Sequence, residues 1–335
     1  MNSNFKKNIM LIGGAGYIGT VLANYFLNLN FNVIVYDNLI YNHDFALKDL
    51  KKNKNFKFVN GDIRSPNSLL KNLESVDYAV LLAGLVGDPI TKIYPELSSE
   101  INLKGIKNCL NIINESKVKR VIFVSTCSNY GLIPEHKSAD EEYILNPLSL
   151  YAKNKVECEE YISSLKDKVN YSATILRFAT AFGLSPRMRF DLTVNEFTYY
   201  IFNQKELVVY DKDTWRPYCH VDDFALLIKK VLFAEEKDIY FQTFNAGSDE
   251  NNATKQMILE LISKQFNNKA NILFEGDGKD RRNYKVDFSK VRKILDFKCN
   301  VSIEEGIIKI IESMKSGNYL NYERNKTKFG NYKIN

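Results

Sequence analysis

Residues 9–19 read IMLIGGAGYIG: the apolar run Ile9–Ile12, then glycines at 13, 16 and 19. A short apolar run closed by glycine reads as a buried strand. The spacing of Val21-Leu22, Tyr25-Phe26 and Leu29 behind it reads as a helix. In that strand–turn–helix setting Gly13 allows the tight turn and Gly16 lets a pyrophosphate approach the backbone. Gly19 lets the helix pack closely on the strand. The phosphates would meet the free N–H groups at the start of the helix, near Tyr17. A glycine-rich turn with no ligand has the same letters. The next strand decides between the two. VIVYDN, residues 33–38, ends in Asp37, eighteen positions after Gly19. A carboxylate there accepts hydrogen bonds from an adenosine ribose and repels a 2′-phosphate. No arginine follows it, so NAD is expected rather than NADP. Gly13, Gly16, Tyr17, Ile18, Gly19, Asp37 and Asn38 are the expected cofactor contacts of this segment.

Further apolar runs lie at Phe56–Val59, Tyr78–Leu82, Val121–Val124 and Thr174–Leu176, with helical spacing over 102–113 and 150–165. Strand and helix alternating at this pitch predict an α/β fold, a Rossmann-type doubly wound parallel sheet with right-handed crossovers. After about Ala181 the pattern loosens into helices with short strands such as Leu207–Tyr210 and Phe241–Asn245. The expected division is 1–180 for the NAD-binding part and 181–317 mainly for a smaller C-terminal substrate-binding lobe, segments of which return to the sheet. Residues 318–335 read as a frayed polar tail. No apolar run approaches the ~20 residues that span a bilayer, and the N-terminus has no apolar stretch before the glycine loop. The five cysteines are scattered in sequence and none has metal-ligand spacing, so reduced cysteines, a cytoplasmic setting and no metal are expected. The net charge of +6 is ordinary for this length, and neither nucleic acid nor membrane is an expected partner.

Two further stretches carry chemistry. In Tyr151-Ala-Lys-Asn-Lys155 the tyrosine and Lys155 share a helix face. A phenol of pKa about 10 next to an ammonium and a cationic nicotinamide becomes a usable base toward a substrate hydroxyl. A solvated surface pair is the plain alternative, and the dinucleotide loop tips the reading toward chemistry. VSTCSNYG, residues 124–131, follows an apolar run directly, so its hydroxyls fall at a strand's carboxyl end, where ligands collect in open parallel sheets. Turn formation is the other use of those residue types.

Taken with Gly61-Asp62, LLAG at 81–84, INLKG at 101–105, LRFATAFG at 176–183, WRPYCHVDD at 215–223 and DRRNYKVDFSK at 280–290, these motifs resemble the extended short-chain dehydrogenase/reductase family. The likeness is to its NAD-dependent sugar-nucleotide epimerases and dehydratases, UDP-galactose 4-epimerase among them. The resemblance implies Tyr151 as base, Lys155 as its partner on the nicotinamide ribose, and Thr126 as the catalytic hydroxyl. It implies Asp62 and Ile63 near the adenine, Ala83 and Gly84 along the cofactor, and Arg216 on a substrate diphosphate with Arg281 or Arg282 beside it. Thr180 falls where the galactose branch has a substrate asparagine. Arg187, Arg189 and Asn195, in SPRMRFDLTVNEF, lie near the expected sugar pocket, unless that stretch is a solvated basic loop. His220 reads as structural, and His43 and His136 as exposed. Where dehydratases of the family carry Asp-Glu after the catalytic threonine, this chain has Cys127-Ser128. Neither replaces a carboxylic acid in expelling a sugar hydroxyl, so the resemblance implies C4 chemistry on a nucleotide-diphosphate sugar, a 4-epimerase first. A 4-dehydrogenase releasing a keto sugar is the alternative, a 4,6-dehydratase is disfavoured, and a non-catalytic NAD-binding regulator is the distant one. The family's four-helix pairing implies a homodimer through about Glu100–Ser116 and Ser149–Ser164. Ile106, Leu110, Ile113, Val156, Tyr161 and Leu165 would be its spare apolar residues.

Overall fold

The computed structural model describes residues 6–266, 270–276 and 282–334. One parallel sheet is built from β1 (Asn8–Ile12), β2 (Asn32–Asp37), β3 (Phe56–Asn60), β4 (Tyr78–Leu81), β5 (Arg120–Thr126), β6 (Ser172–Phe178) and β7 (Gln242–Ala246). Across the sheet they lie in the order β7, β6, β5, β4, β1, β2, β3. All neighbours are parallel, with Ile12 paired to both Tyr36 and Leu81 and Thr126 to Phe178. The order reverses at β1, whose neighbours are β2 and β4, and this opens a crevice at the carboxyl ends of those strands. Strands buried on both faces are near-continuous runs of Val, Ile and Leu, as Ile9–Ile12 is here. The edge strand β7 comes from well beyond residue 180, in the return to the sheet that the sequence allows for.

Helices cover both faces. Leu22, Ala23 and Phe26 of α1 (Tyr17–Asn28) pack with Phe224, Leu227 and Ile228 of the helix Val221–Phe233 on one side. On the other side lie α2 (Ile106–Asn114) and α3 (Leu150–Ser164), which bury Ile106, Leu110, Ile113, Cys158 and Ile162. The first three are therefore core residues of this chain and not spare apolar surface, which corrects the sequence expectation. Val156, Tyr161 and Leu165 stay partly exposed. A third apolar cluster gathers Phe182, Tyr218, Ile258, Ile307 and Ile310 under the lobe helices. No helix among the described residues is long and apolar enough to cross a membrane.

The segment after Gly317 is not frayed. Tyr322 is buried beneath Phe190, and Phe190 N–H donates to Phe329 O at 2.8 Å. Its aromatic residues, set among lysines and asparagines, find a hydrophobic seat that composition alone hides.

Beneath the sheet's carboxyl edge lies a buried ion pair, Glu159 of α3 with Arg177 of β6, at 2.7 Å. Arg177 also donates to Tyr130 Oη and Glu141 O, and Tyr130 donates to Asn245 Oδ1. Ser125 and Asn129 donate to Glu159 Oε1. Breaking a buried pair strands the remaining charge. Arg177→Met is expected to cost about 3–5 kcal/mol of stability, read from urea denaturation; a loss within error of zero would show that the network is dispensable.

Candidate active site

The crevice widens into a cavity of about 880 Å³ lined from both the sheet edge and the lobe. Gly13 has φ +81°, and a Cβ there would stand 2.4 Å from the Ala83 backbone, so both conformation and the closeness of the next loop demand glycine. A Cβ on Gly19 would meet Gly14 at 2.5 Å, which is the tight helix packing expected. At Gly16 the nearest atom to such a Cβ is Gly13 O at 3.7 Å, so its surface faces open space at the start of α1. This cradle fits the pyrophosphate of a dinucleotide: amides at a helix N-terminus and no side chain in the way.

Asp37, at the end of β2, is buried. Its oxygens accept from Ala15 N–H at 3.0 Å and Leu39 N–H at 2.8 Å. Burial pushes its pKa up, against those amides and the nearby Arg187. Asn38 donates to Asp62, and Arg64 holds that carboxyl down at about 2. Asp62, Ile63, Ala83 and Gly84 all line the cavity, as do Tyr17, Ile18 and Gly19.

At the other end stand Thr126, Tyr151 and Lys155. Thr126 Oγ1 accepts from Ser128 N–H and caps the short helical turn after β5. Lys155 is buried, and its Nζ donates to Val124 O at 2.6 Å and lies 5.9 Å from the Tyr151 ring centroid. Burial pulls Lys155 down to about 8. Tyr151 is pushed above its usual value by burial, and the cations that pull it back are Arg189 and Arg282, while Asp88 raises it. The Lys155 ammonium, near the phenol on the same helix face, is directed to the Val124 carbonyl.

Arg216 lines the cavity over the Tyr284 ring and donates to Trp215 O and Arg282 O. Arg282 pairs with Asp88 at 3.0 Å and donates to Ser128 Oγ at 3.2 Å. Thr180 also lines the cavity. Arg281 lies outside the described residues. Asn195 does not face the cavity: it donates to Tyr17 Oη and Arg189 O and accepts from Gly183 N–H, so its polar atoms are spent on structure. Tyr17 in turn donates to Gly183 O, and Thr20 meets Ser185. Arg187 lies not with Arg216 but beside Asp37, over the Tyr41 ring. Arg189, lining the cavity, is paired with Asp191 at 2.6 Å, so the stretch is not a solvated basic loop.

Cys127 is wholly buried, donates to Arg177 O and is pushed up by burial, while its neighbour Ser128 does line the cavity. Asp88, which sequence reasoning passed over, also lines it. His220 is buried and accepts from Asp222 N–H at the start of the helix Val221–Phe233. The fold brings Cys219 and Cys299 to 3.6 Å, next to Asp223, but the Asp223 carboxylate is held by Asn300 and Val301 N–H. His136 is exposed, whereas His43 is buried against Asp37, 3.8 Å away.

An open parallel sheet with a glycine cradle at its switch point and a Tyr–Lys pair facing it defines a dinucleotide-dependent enzyme. The model of the NAD dependent epimerase/dehydratase family matches residues 9–247, and the chain belongs to that family. Its cofactor is NAD. A UDP-glucuronate 4-epimerase of Thermodesulfobacterium geofontis is 26% identical over 317 residues, 91% of this chain and 95% of the relative. The fold is shared with UDP-glucuronic acid 4-epimerase from Bacillus cereus, solved with UDP-glucuronic acid and NAD. There the TM-score is 0.82 and the identity 23%, over 92% of this chain and 99% of that one. It is equally shared with the dTDP-glucose 4,6-dehydratase DesIV of Streptomyces venezuelae: TM-score 0.84, identity 23%, over 97% of this chain and 100% of that one.

Burial holds His43 down at about 4, with Arg187 acting in the same direction. Unfolding releases it to its ordinary value of 6.5. The unfolded chain therefore takes up a proton that the folded chain refuses, and stability from this group is full above pH 6.5 and lost as pH falls toward 4. His43→Gln should gain stability relative to wild type over that window in NAD-free denaturation series. A difference that does not change with pH would place His43 in solvent, as its sequence neighbours imply.

Proposed function

We propose that this enzyme inverts C4 of a nucleotide-diphosphate sugar by transient oxidation. The observation that carries this is one cavity lined by the glycine cradle, by Thr126, Tyr151 and Lys155, and by Arg216. NAD, held at the glycine cradle, would supply the hydride acceptor for oxidation and the hydride donor for the return. Tyr151 takes the proton of the C4 hydroxyl, Thr126 donates a hydrogen bond to that oxygen, and Lys155 supports the phenolate and the nicotinamide ribose. The phenol that burial keeps neutral becomes a base only with added positive charge nearby, which ties proton removal to a loaded site. Arg216, with Arg282, holds the diphosphate while the keto sugar turns over, and Tyr151 then returns the proton. Thr180 meets the sugar. The amides from Gly16 onward hold the pyrophosphate, Asp37 the adenosine ribose and Asp62 the adenine.

On this reading residues 1–180 hold the cofactor and 181–317 supply most sugar contacts. The UDP-glucuronate epimerase relative makes a UDP-hexose or UDP-hexuronate the first substrate class to test. A homodimer is proposed on the partly exposed Val156, Tyr161 and Leu165 of α3, and a cytoplasmic setting on five free thiols. Sedimentation at micromolar concentration should give the dimer mass, and a monomer there would remove the dimer.

Dehydration keeps one specific foothold. Asp88 is a carboxylate on the Tyr151 side of the cavity, but its Oδ2 is engaged with Arg282 at 3.0 Å. The product of a UDP-sugar panel should therefore keep its mass. A product lighter by one water would assign the acid to Asp88, and Asp88→Asn would abolish that loss. Net release of a keto sugar would appear as a mass lower by two hydrogens, with reduced cofactor accumulating in its absorbance. Tyr151→Phe should bind NAD but turn over roughly 10²–10⁴-fold more slowly; wild-type turnover would remove Tyr151 from the mechanism.

A further inference from the structure

Around Asp37 gather buried polar atoms that find no hydrogen-bond partner among the described residues: Tyr41 Oη, His43 Nδ1 and Nε2, and Arg187 Nη1. Their three residues line the cavity. Arg187 is only 1% exposed, and its other terminal nitrogen, Nη2, donates to Gly330 O at 3.0 Å. A buried guanidinium with an unused N–H is costly unless a ligand takes it up. The ribose diol of an adenosine is such a ligand. Each hydroxyl can donate to the Asp37 carboxylate and accept from Arg187, and from His43 or Tyr41, which would answer these unmet groups together.

Gly330 belongs to the C-terminal segment, which crosses from the lobe to the sheet at this point. Phe329 O is held by Phe190 N–H. Asn331 N–H donates to Asp191 at 3.1 Å, and its Nδ2 donates to Val86 O, in the loop after β4, also at 3.1 Å. Lys328 Nζ lies over the Phe45 ring at 5.8 Å, and Asn331 and Tyr332 line the cavity. One short stretch thus fastens the lobe loop that carries Arg187 to the loops that frame Asp37.

We propose that the C-terminal segment Asn318–Ile334, acting with Arg187, is a strap over the adenosine half of NAD and governs how fast the cofactor escapes. This rests on the reading that Asp37 receives the adenosine ribose. Arg187 is then a cofactor residue, not the sugar residue its sequence position implies. NAD held in this way stays through many cycles of oxidation and return, as an enzyme that regenerates its cofactor internally requires.

The test follows the dissociation of labelled NAD from full-length enzyme chased with unlabelled NAD. Arg187→Met should release NAD about ten- to a hundredfold faster, the effect of a hydrogen bond from a charged group, and Asn331→Ala should release it severalfold faster. Hydrogen exchange on the wild type gives a readout that no folding defect can mimic: the Asn331 amide should exchange at least tenfold more slowly with NAD present. Dissociation rates unchanged in both variants would overturn the strap, as would NAD-independent exchange at Asn331. Arg187→Met with a raised KM for the sugar nucleotide and unaltered NAD release would return Arg187 to the sugar site. Asp37→Ala separates the two layers. Undiminished NAD affinity in that variant removes the ribose placement itself, whereas weakened affinity there with unchanged release in the strap variants sinks the strap alone.

Discussion

The ion pair between Glu159 and Arg177 is the constraint on which the site depends. Both side chains are nearly fully buried, and two charges in such a place are tolerable only when every remaining lone pair and N–H is answered. Ser125, Asn129, Tyr130 and the Glu141 carbonyl answer them. The partners come from the end of β5, the turn after it, α3 and β6, and Asn245 of β7 joins through Tyr130. Thr126 follows Ser125 directly, and Lys155 lies one helical turn before Glu159. The placement of hydroxyl and ammonium is therefore set by this buried polar knot.

Electrostatics then decides what Tyr151 does. In the chain by itself, burial keeps its proton on, Lys155 is turned to the Val124 carbonyl, and the cations acting on the phenol are Arg189 and Arg282. Arg282 is in turn shared with Asp88. A ligand phosphate competing for Arg282 and a cationic ring near the phenol would act on one proton from two sides. A resting enzyme of this design does not keep an exposed base in water.

What the sequence revealed and what it hid separate along physical lines. Ile9–Ile12, Val33–Tyr36 and the other apolar runs announce strands because burial on both faces needs unbroken apolar residues. Gly13 and Gly19 are legible because a turn and a close packing admit no side chain. Tyr151 and Lys155 are legible because helix geometry fixes their common face. The partners of Arg187 and Glu159 are not, since Gly330 stands 143 positions from Arg187 and only the folded chain sets it there. Asn195 shows the reverse error: a polar residue in a promising stretch whose atoms were all needed by Gly183, Tyr17 and Arg189. The tail misled because Lys and Asn dominate its composition, although Tyr319, Tyr322 and Phe329 were there to be read as a clustering aromatic face. His43 misled in the same manner, its polar neighbours in sequence saying nothing of Asp37 above it.

Tyr17 carries one more consequence. It opens the helix at the glycine cradle, yet its hydroxyl reaches across to Gly183 and receives Asn195 from the lobe, while Thr20 of the same helix meets Ser185. The two walls of the cleft are riveted together along its floor. A clamshell that opened at that seam would have to break several buried hydrogen bonds at once. The jaws are thus fixed at a preset width, and traffic in and out must pass by the peripheral loops rather than by a swing of one half against the other.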